Sequence, residues 1–359
     1  DRPQMFFYTR MSNNPPWGAS INLTDPAGGF SNPWQAYPGG NPWPTLASVG
    51  PTMPFPQEGV YVNVPLHVRP TYVQQWNGSV QHQLGNNDVL SASYIGNETT
   101  HLWLGTELNP AVYNSSCATN YKGCHATTNA RRILNTVNPA WGSYFSTMGS
   151  VDDGGTASYN ALLLSEQHRL HSGLSFRFNY TWAHCITDPA TTELTGPTYD
   201  NPADRRMDRG NCGSDIRQTL NASMVGDSPF HFHGLGGLAN DWRLSLNFTA
   251  RTGTYSTAGL GGPITDPMLN GIGSRAQVAA SQQVLEPTLT NVGNQGNLQY
   301  LNPTAFDVPA LGTFGDAGVN TIPDPGMWNV DTALSRIVKL SESHSVELRW
   351  EMFNALNTV

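Results

Sequence analysis

Strict alternation of apolar and polar residues over about ten positions is the dominant pattern in this sequence. In the clearest stretch one set of alternating residues is apolar and the other is polar. The apolar set is Leu174, Phe176, Phe178, Tyr180 and Trp182, and the polar set is Ser175, Arg177, Asn179 and Thr181. Because a period of two places neighbouring residues on opposite faces, this stretch predicts a β-strand with one apolar face.

The same alternation recurs along the chain. Clear strands are predicted at residues 72–84, 242–249 and 345–353, and weaker ones at residues 4–10, 89–95, 158–169, 218–225 and 327–340. The pattern predicts about nine or ten antiparallel strands, each long enough to cross a membrane when tilted. In the second clear strand, Trp242, Leu244, Leu246 and Phe248 alternate with Arg243, Ser245, Asn247 and Thr249. We expect both apolar sets to face lipid and both polar sets to face inward.

The connections between the predicted strands are unequal in length. Short turns at residues 84–88 and 170–173 alternate with long loops at about 11–60, 186–216 and 253–325. Short turns at one end and long loops at the other are typical of outer-membrane β-barrels. The fold class is therefore predicted as all-β, a partial antiparallel transmembrane β-barrel forming one domain over residues 1–359. We expect an open, curved sheet with the strands at 4–10 and 345–353 at its unpaired edges.

Composition is consistent with this fold and excludes one class of partner. Charged residues are 12% of the chain, whereas a soluble domain has about 25%, and the chain contains 10 Trp, 13 Tyr and 13 Phe. Aromatic girdles at the membrane interfaces would use these rings, although the core of a soluble β-sandwich would use them too. The net charge of −8 excludes nucleic acid as a partner. No run of about 18 apolar residues predicts a transmembrane helix.

The four cysteines fall into two local pairs within polar stretches. We predict that Cys117 bonds to Cys124 and that Cys185 bonds to Cys212, both on the long-loop side of the sheet. An exported protein would retain such disulfides, and neither spacing resembles a metal or redox motif. Free thiols in a reducing compartment remain the alternative.

Three further groups of residues have the chemistry of a ligand site. His231 and His233, with His168 and His171, could bind a metal, but no third ligand has a suitable spacing, so exposed histidines are expected. The cluster from Asp204 to Arg209 could bind an anion, but a solvated loop with mutually compensating charges is expected.

The acidic pair in the third group could bind calcium. Asp152 and Asp153 precede two glycines but lack the spacing of a calcium loop, so a turn is expected. No hydrolase elbow, zinc-protease or phosphate-loop motif occurs. We therefore expect no enzymatic activity, no cofactor and no metal.

Several stretches, taken in order, resemble a known family. They are residues 70–77, 89–96, 158–162, 173–176, 179–183 and 348–357, which include Tyr-Val-Gln-Gln-Trp-Asn, Asn-Tyr-Thr-Trp-Ala and Leu-Arg-Trp-Glu-Met-Phe-Asn-Ala-Leu-Asn. Together they resemble the C-terminal part of the barrel of Oar-like TonB-dependent receptors of the acidobacterial type. The resemblance implies a 22-stranded barrel around an N-terminal plug, behind a carboxypeptidase-regulatory-like domain. No plug pattern or terminal signal is found, so the chain is expected to be a piece of such a receptor.

The resemblance implies a receptor in the outer membrane of a Gram-negative bacterium. It would take up a bulky nutrient such as an oligosaccharide, a peptide or a chelated metal. Its partners would be membrane lipid, an extracellular ligand and the TonB complex, the last through the plug. Two alternatives remain open. One is an outer-membrane barrel for adhesion or cell-contact signalling, and the other is a secreted soluble β-sandwich or propeller that binds carbohydrate.

Overall fold

One long antiparallel sheet dominates the structure, a computed structural model. It describes residues 14–46, 50–63, 65–171, 173–188, 199–229, 233, 240–261, 263–279, 282–292, 297–339, 341 and 344–358. The strands of this sheet are β1 Gly59–Asn63, β2 Tyr72–Leu84, β3 Asp88–Glu107, β4 Phe145–His171, β5 Leu174–Thr187, β6 Gly210–Asn211, β7 Gln218–Asp227, β8 Trp242–Arg251, β15 Met327–Lys339 and β16 Ser345–Met352. Eight strands form the main path in the order β16-β15-β8-β7-β5-β4-β3-β2, while β1 pairs with β4 and β6 pairs with β5.

The remaining described elements are short and lie in the long connections. Strands β9 Tyr255–Ser256 and β14 Ile322–Pro323 pair with each other, as do β10 Gln277–Val278 with β13 Phe306–Asp307 and β11 Leu285–Val292 with β12 Asn297–Leu301. The α-helices are Trp43–Leu46, Tyr121–Ala126, Ile133–Val137 and Pro139–Gly142. Single 3-10 turns occur at Gly29–Ser31, Ser115–Thr119, Asn129–Arg131, Arg205–Asp208 and Pro303–Ala305. In the described part of the chain, no helix has the length and apolar character needed to cross a membrane.

The register of the main sheet aligns the apolar residues of successive strands on one face. Tyr180 of β5 lies opposite Leu164 of β4 and Leu220 of β7. Further along the sheet, Leu244 of β8 lies opposite Leu334 of β15, which lies opposite Trp350 of β16. Residues directly opposite each other in a ladder share a face, so the alternation within each strand becomes a largely apolar surface, with Glu166 and Arg336 as charged residues on the same face.

Burial on the two faces is the reverse of that in a soluble β-sandwich. On the apolar face large side chains are exposed, including Trp182 at 55% and Trp350 at 56%. On the opposite, polar face the small side chains of Ala161, Ala183 and Ser335 are buried. Exposed large apolar patches mark a surface that another phase or partner covers, and a membrane is such a phase.

The ends of the sheet differ in the length of their connections. The strand ends that flank the short links 85–87, 172–173 and 340–344 and the medium link 228–241 lie at one end of the sheet. The strand ends that flank the long links 108–144, 188–217 and 252–326 lie at the other end. Sequence reasoning missed the first of these long links.

Strands β7 and β8, at 10 residues each, have the length a tilted membrane crossing needs, about 9–11 residues.

The structure corrects the sequence-based elements at several places. Asp152 and Asp153 lie inside β4 and not in a turn, because β3 and β4 continue beyond the predicted strands as a long hairpin. Strand β1 lies at the end of a predicted loop and pairs in parallel with the start of β4. Among the described residues the outermost strands of the open sheet are β2 and β16. The strand predicted at residues 4–10 lies outside the described residues.

A charged substitution on each face tests this assignment. Replacing Leu246 by Arg places a cation in the middle of the apolar face, and in lipid this costs about 2–4 kcal/mol of folding free energy. Its neighbour Asn247 lies on the polar face, so Asn247→Arg is the matched control and is expected to change stability little. Urea titration in lipid vesicles measures both. Equal costs for the two variants would contradict the assignment of faces.

Candidate functional site

The long links pack together at one end of the sheet, and we call their described residues the loop layer: segments 14–63, 108–144, 199–217 and 252–326. The hairpin β3–β4 supports this layer because it extends past the neighbouring strands. Its register shifts between Thr100 and Leu104, where the hairpin leaves the regular part of the sheet. Strand β1 then pairs with the extension from Gly59 opposite Phe145 to Asn63 opposite Ser150, which places segment 14–63 in the layer.

A buried ion pair fastens segment 108–144 to the hairpin. Arg132 and Glu107 lie 3.8 Å apart, and both side chains are almost fully buried. The Arg132 guanidinium also donates to the Asn109 carbonyl oxygen at 2.6 Å and to Asn129 Oδ1 at 3.1 Å, while Glu107 Oε1 accepts the backbone N–H of Met148. These bonds offset the desolvation that an isolated buried charge would suffer.

A second buried cluster joins two other segments of the layer. The Arg275 guanidinium contacts the carboxylates of Asp208 and Asp200 and donates to the carbonyl oxygens of Ala317 and Met207. One arginine thus contacts two carboxylates, of which Asp208 is buried and Asp200 is partly buried. Burial raises the pKa of both Asp200 and Asp208, and the Arg275 charge opposes that rise.

The charge cluster from Asp204 to Arg209 differs from the sequence-based expectation. Two of its charges pair with other segments, Arg205 with Asp152 of β4 and Arg209 with Asp188 just after β5, while the Asp204 carboxylate accepts the backbone N–H of Arg206 within the cluster. Asp208 is buried, so the loop is not uniformly solvated. A six-residue window does not reveal this, because the partners are distant in sequence.

Both cysteine pairs are joined in the structure, with Cα separations of 5.6 Å for Cys117–Cys124 and 5.4 Å for Cys185–Cys212. The second bridge ties the later part of the link 188–217 back to the end of β5. Both lie on the long-loop side of the sheet, as expected from the sequence.

The histidines considered as metal ligands are separated in the structure. His168 Nδ1 lies 2.6 Å from the Asp88 carboxylate near the short-turn end, and His171 and His233 are exposed. His231 lies outside the described residues. No group of three or more potential metal ligands occurs within the described ranges.

Three segments of the loop layer enclose a polar pocket of about 370 Å³. Its lining comes from segments 22–25, 125–132 and 265–273. His125 Nδ1 lies 2.8 Å from Asp25 Oδ2, and the buried Asp266 carboxylate accepts the backbone N–H groups of Gly271 at 2.7 Å and Asn270 at 3.3 Å. Burial raises the pKa of Asp266, while these backbone hydrogen bonds oppose the rise.

The pocket combines hydrogen-bond donors and acceptors with charged groups of both signs. Because the Asp25 carboxylate holds Nδ1 of His125, Nε2 of that ring is left for a ligand. Arg132, Thr24 and Thr265 complete the polar lining. Such a site suits a polar ligand with several hydrogen-bonding groups better than a simple ion.

Sequence reasoning did not identify this pocket, but a repeated tripeptide marks it. Thr-Asp-Pro occurs at residues 24–26, 187–189 and 265–267. The aspartates of the first and third copies, Asp25 and Asp266, line the pocket, and the aspartate of the second, Asp188, pairs with Arg209.

The family assignment follows from comparison with known sequences. A family model described as "Outer membrane beta barrel domain" matches residues 1–359. The chain belongs to this family. The outer-membrane barrel fold agrees with the antiparallel sheet, its exposed apolar face and its alternating short and long links.

Two further comparisons accompany this match. The crystal structure of the outer-membrane transporter YddB from Escherichia coli is similar over 83% of this chain, with 10% identity and a TM-score of 0.40. This chain covers 31% of that transporter. No curated protein matches the sequence.

Membership of an outer-membrane barrel family gives the two ends of the sheet their orientation. The long loops of these barrels are extracellular and the short turns are periplasmic. The loop layer and its polar pocket are therefore the cell-surface part of the protein. The apolar face of the sheet is its lipid contact.

The two disulfides are expected to differ in their effect on the loop layer. Their sequence separations are 7 and 27 residues, so loop-closure entropy gives about 2 kcal/mol for the first and about 3–4 kcal/mol for the second. We expect Cys185→Ser with Cys212→Ser to raise amide exchange in segment 199–217 more than Cys117→Ser with Cys124→Ser raises it in segment 108–144. Hydrogen-exchange mass spectrometry measures both. A larger effect of the Cys117 pair would contradict this expectation.

The buried carboxylates give the loop layer a pH dependence. The pKa of Asp266, Asp200 and Asp208 is raised above the ordinary 3.8, so folding favours their protonated forms. Their contribution to stability is complete in acid and is lost as pH rises through the raised values. We expect the layer to exchange amide protons more slowly, relative to intrinsic rates, at about pH 4 than at about pH 7. Asp266→Asn should reduce this difference in segment 265–273, and an unchanged profile would contradict the argument.

Proposed function

We propose that the protein is the barrel portion of a TonB-dependent outer-membrane receptor that takes up a bulky polar nutrient, and that it has no enzymatic activity. The observation that carries the proposal is the polar pocket, which three separate extracellular segments build from carboxylate, imidazole, guanidinium and hydroxyl groups. Energy delivered through TonB and a plug would complete the cycle. Among oligosaccharides, peptides and chelated metals, a lining with many hydrogen-bond donors and acceptors favours an oligosaccharide, which carries many hydroxyl groups.

The polar wall below the loop layer supports passage of such a ligand. On β2, β3 and β4 this wall carries uncharged hydrogen-bonding side chains, with Ser79 donating to Ser93 at 2.8 Å and Ser91 bonded to Ser165 at 2.7 Å. A wall of hydroxyl and amide groups exchanges hydrogen bonds with a polyol without strong binding at any point. The ligand can therefore move along this wall without being held at a tight binding site.

Exposed aromatic residues of the loop layer favour a second candidate, adhesion to another surface. The motif Asn-Pro-Trp occurs at residues 32–34 and 41–43, and Trp17 and Trp141 follow Asn-Pro in similar stretches. Trp17 is 59% exposed and Trp141 is 70% exposed. Exposed rings of this size serve as anchors at interfaces, so they suit a cell-contact partner as well as a soluble ligand.

Uptake measurements in the native host separate these candidates. A deletion strain and its complemented parent would be compared for uptake of fluorescent oligosaccharides, peptides and ferric chelates, with and without a protonophore. A TonB-dependent receptor predicts that uptake of one probe class is lost in the deletion strain and in the energy-depleted parent. Unchanged uptake of every probe with reduced surface attachment would instead establish adhesion and refute the transport proposal.

Substitutions in the pocket test its role in binding. Asp25→Asn combined with His125→Gln removes the carboxylate and the imidazole with little change in side-chain size. This should weaken binding of the transported probe about tenfold or more, since a hydrogen bond to a charged group contributes about 1.5–3 kcal/mol. The exposed Lys122 lies on the same helix as His125 and does not line the pocket, so Lys122→Ala is the control. Surface binding to whole cells gives the affinity, and immunoblots of outer membranes verify equal protein. Equal affinities in both variants would place the ligand elsewhere.

A further inference from the structure

We propose that the lipid-facing side of the barrel carries a binding groove for one acyl chain of an outer-leaflet membrane lipid. The groove crosses β5, β7, β8 and β15 at their extracellular ends and has a volume of about 670 Å³. This is within the range of specific small-molecule sites, about 300–1,000 Å³. Its lining is distinct from that of the polar pocket, so the two sites have no residue in common.

The floor and walls of the groove follow from the register of four strands. One row across the sheet reads Tyr180, Leu220, Ala250 and Trp328. Ala250 carries only a methyl group and therefore forms the floor of the groove. The larger rings of Tyr180 and Trp328, further along the same row, form its two side walls. Phe248, two residues before Ala250, closes the floor toward the membrane centre with its ring centroid 6.4 Å from that of Trp328.

A short β-ribbon covers the extracellular end of the groove. This ribbon is the pair β9–β14, which contributes Tyr255, Pro323 and Asp324. It folds closely over the strand ends because residue 253 is glycine: a Cβ there would lie 2.1 Å from the Asp324 carbonyl oxygen. The Arg217 guanidinium stacks over the Tyr255 ring at 5.5 Å from its centroid.

The groove changes from apolar to polar along its length. Leu220, Phe248 and Trp328 line the part nearer the membrane centre, whereas Gln218, Thr252 and Asp324 line the part under the ribbon. An amphipathic molecule with its apolar end toward the bilayer matches this order. The groove opens on the face that contacts lipid, so the lipid already present there is the occupant with direct access.

The alanine in the floor allows the groove to be filled without changing the fold. Ala250→Phe places a ring where the acyl chain would lie. Ala222 is also half-buried on the apolar face, on the adjacent strand, and does not line the groove, so Ala222→Phe is the matched control. Both variants add the same volume. Ala250→Phe adds it inside the groove, and Ala222→Phe adds it outside.

Retained lipid is the measurement. The full-length receptor would be extracted from native outer membranes in mild detergent, washed free of bulk lipid, and assayed for bound acyl chains by mass spectrometry after lipid extraction. We expect the parent and Ala222→Phe to retain one lipid and Ala250→Phe to lose about tenfold or more of it, since displacing two methylene groups from an apolar site accounts for that factor. Heat-dependent gel mobility verifies folding, and Trp328→Ala, which removes one wall, repeats the test if Ala250→Phe does not fold.

Three results would overturn the proposal. They are a parent receptor that retains no lipid, equal loss of lipid from both alanine variants, and recovery of a non-lipid molecule or a protein partner from the groove. The proposal does not depend on transport, since lipid retention is measured without a nutrient. A receptor that takes up no probe but retains lipid would refute the proposed function alone.

Discussion

The structure depends on one constraint: every backbone N–H and C=O in the membrane must be paired within the sheet, because lipid offers no hydrogen bonds. Along the ladder from β2 to β16, the six inner strands pair on both sides, and β2 and β16 pair on one side each. A slip of one residue in any pair would turn its side chains to the wrong face. The register shifts along this path occur between Thr100 and Leu104, where the β3–β4 hairpin extends beyond its neighbours, and between His168 and His171, at the short-turn end. Regular pairing through the membrane thus produces the continuous lipid face.

The loop layer is held by different interactions, because its segments have little regular sheet to pair with. Its fully buried side chains include Arg132, Asn109 and Asp208, and the contacts of Arg132 and Arg275 join segments far apart in sequence. Buried ion pairs contribute less to stability than apolar packing of equal volume, but each demands one geometry. The buried ion pairs and hydrogen bonds therefore specify the arrangement of the extracellular segments. The barrel itself is stabilised by lipid contact and by the backbone hydrogen bonds between its strands. A polar pocket at the junction of three segments requires such a specified arrangement.

The parts of the fold that the sequence predicts are those with local signals. The alternation from Tyr72 to Leu84 matches β2 at both ends, because the bulky apolar residues Tyr72, Trp76, Val80 and Leu84 fall on one face and a glycine turn follows. The pair Asp152 and Asp153 misleads, since acidic residues beside glycines usually mark a turn, yet here arginines distant in sequence stabilise them within a strand. Neither the Arg132–Glu107 contact nor the Arg275 cluster has a local pattern. Only the repeated Thr-Asp-Pro tripeptide gave a sequence signal for the pocket, and a repeat does not show that its copies meet.

The lipid face and the loop layer are mechanically connected through a pair of asparagines. Asn211 donates to the Asn320 carbonyl oxygen and Asn320 donates to the Asn211 carbonyl oxygen, both at 2.7 Å. Asn211 precedes Cys212, whose disulfide fixes it to β5, and Asn320 precedes β14, which covers the lipid groove. The disulfide holds Asn211 in place. Movement of the β9–β14 ribbon away from the groove would therefore break both Asn211–Asn320 hydrogen bonds or shift segment 199–217. A lipid seated in the groove would therefore stabilise the extracellular segments as well as the strand ends beneath them.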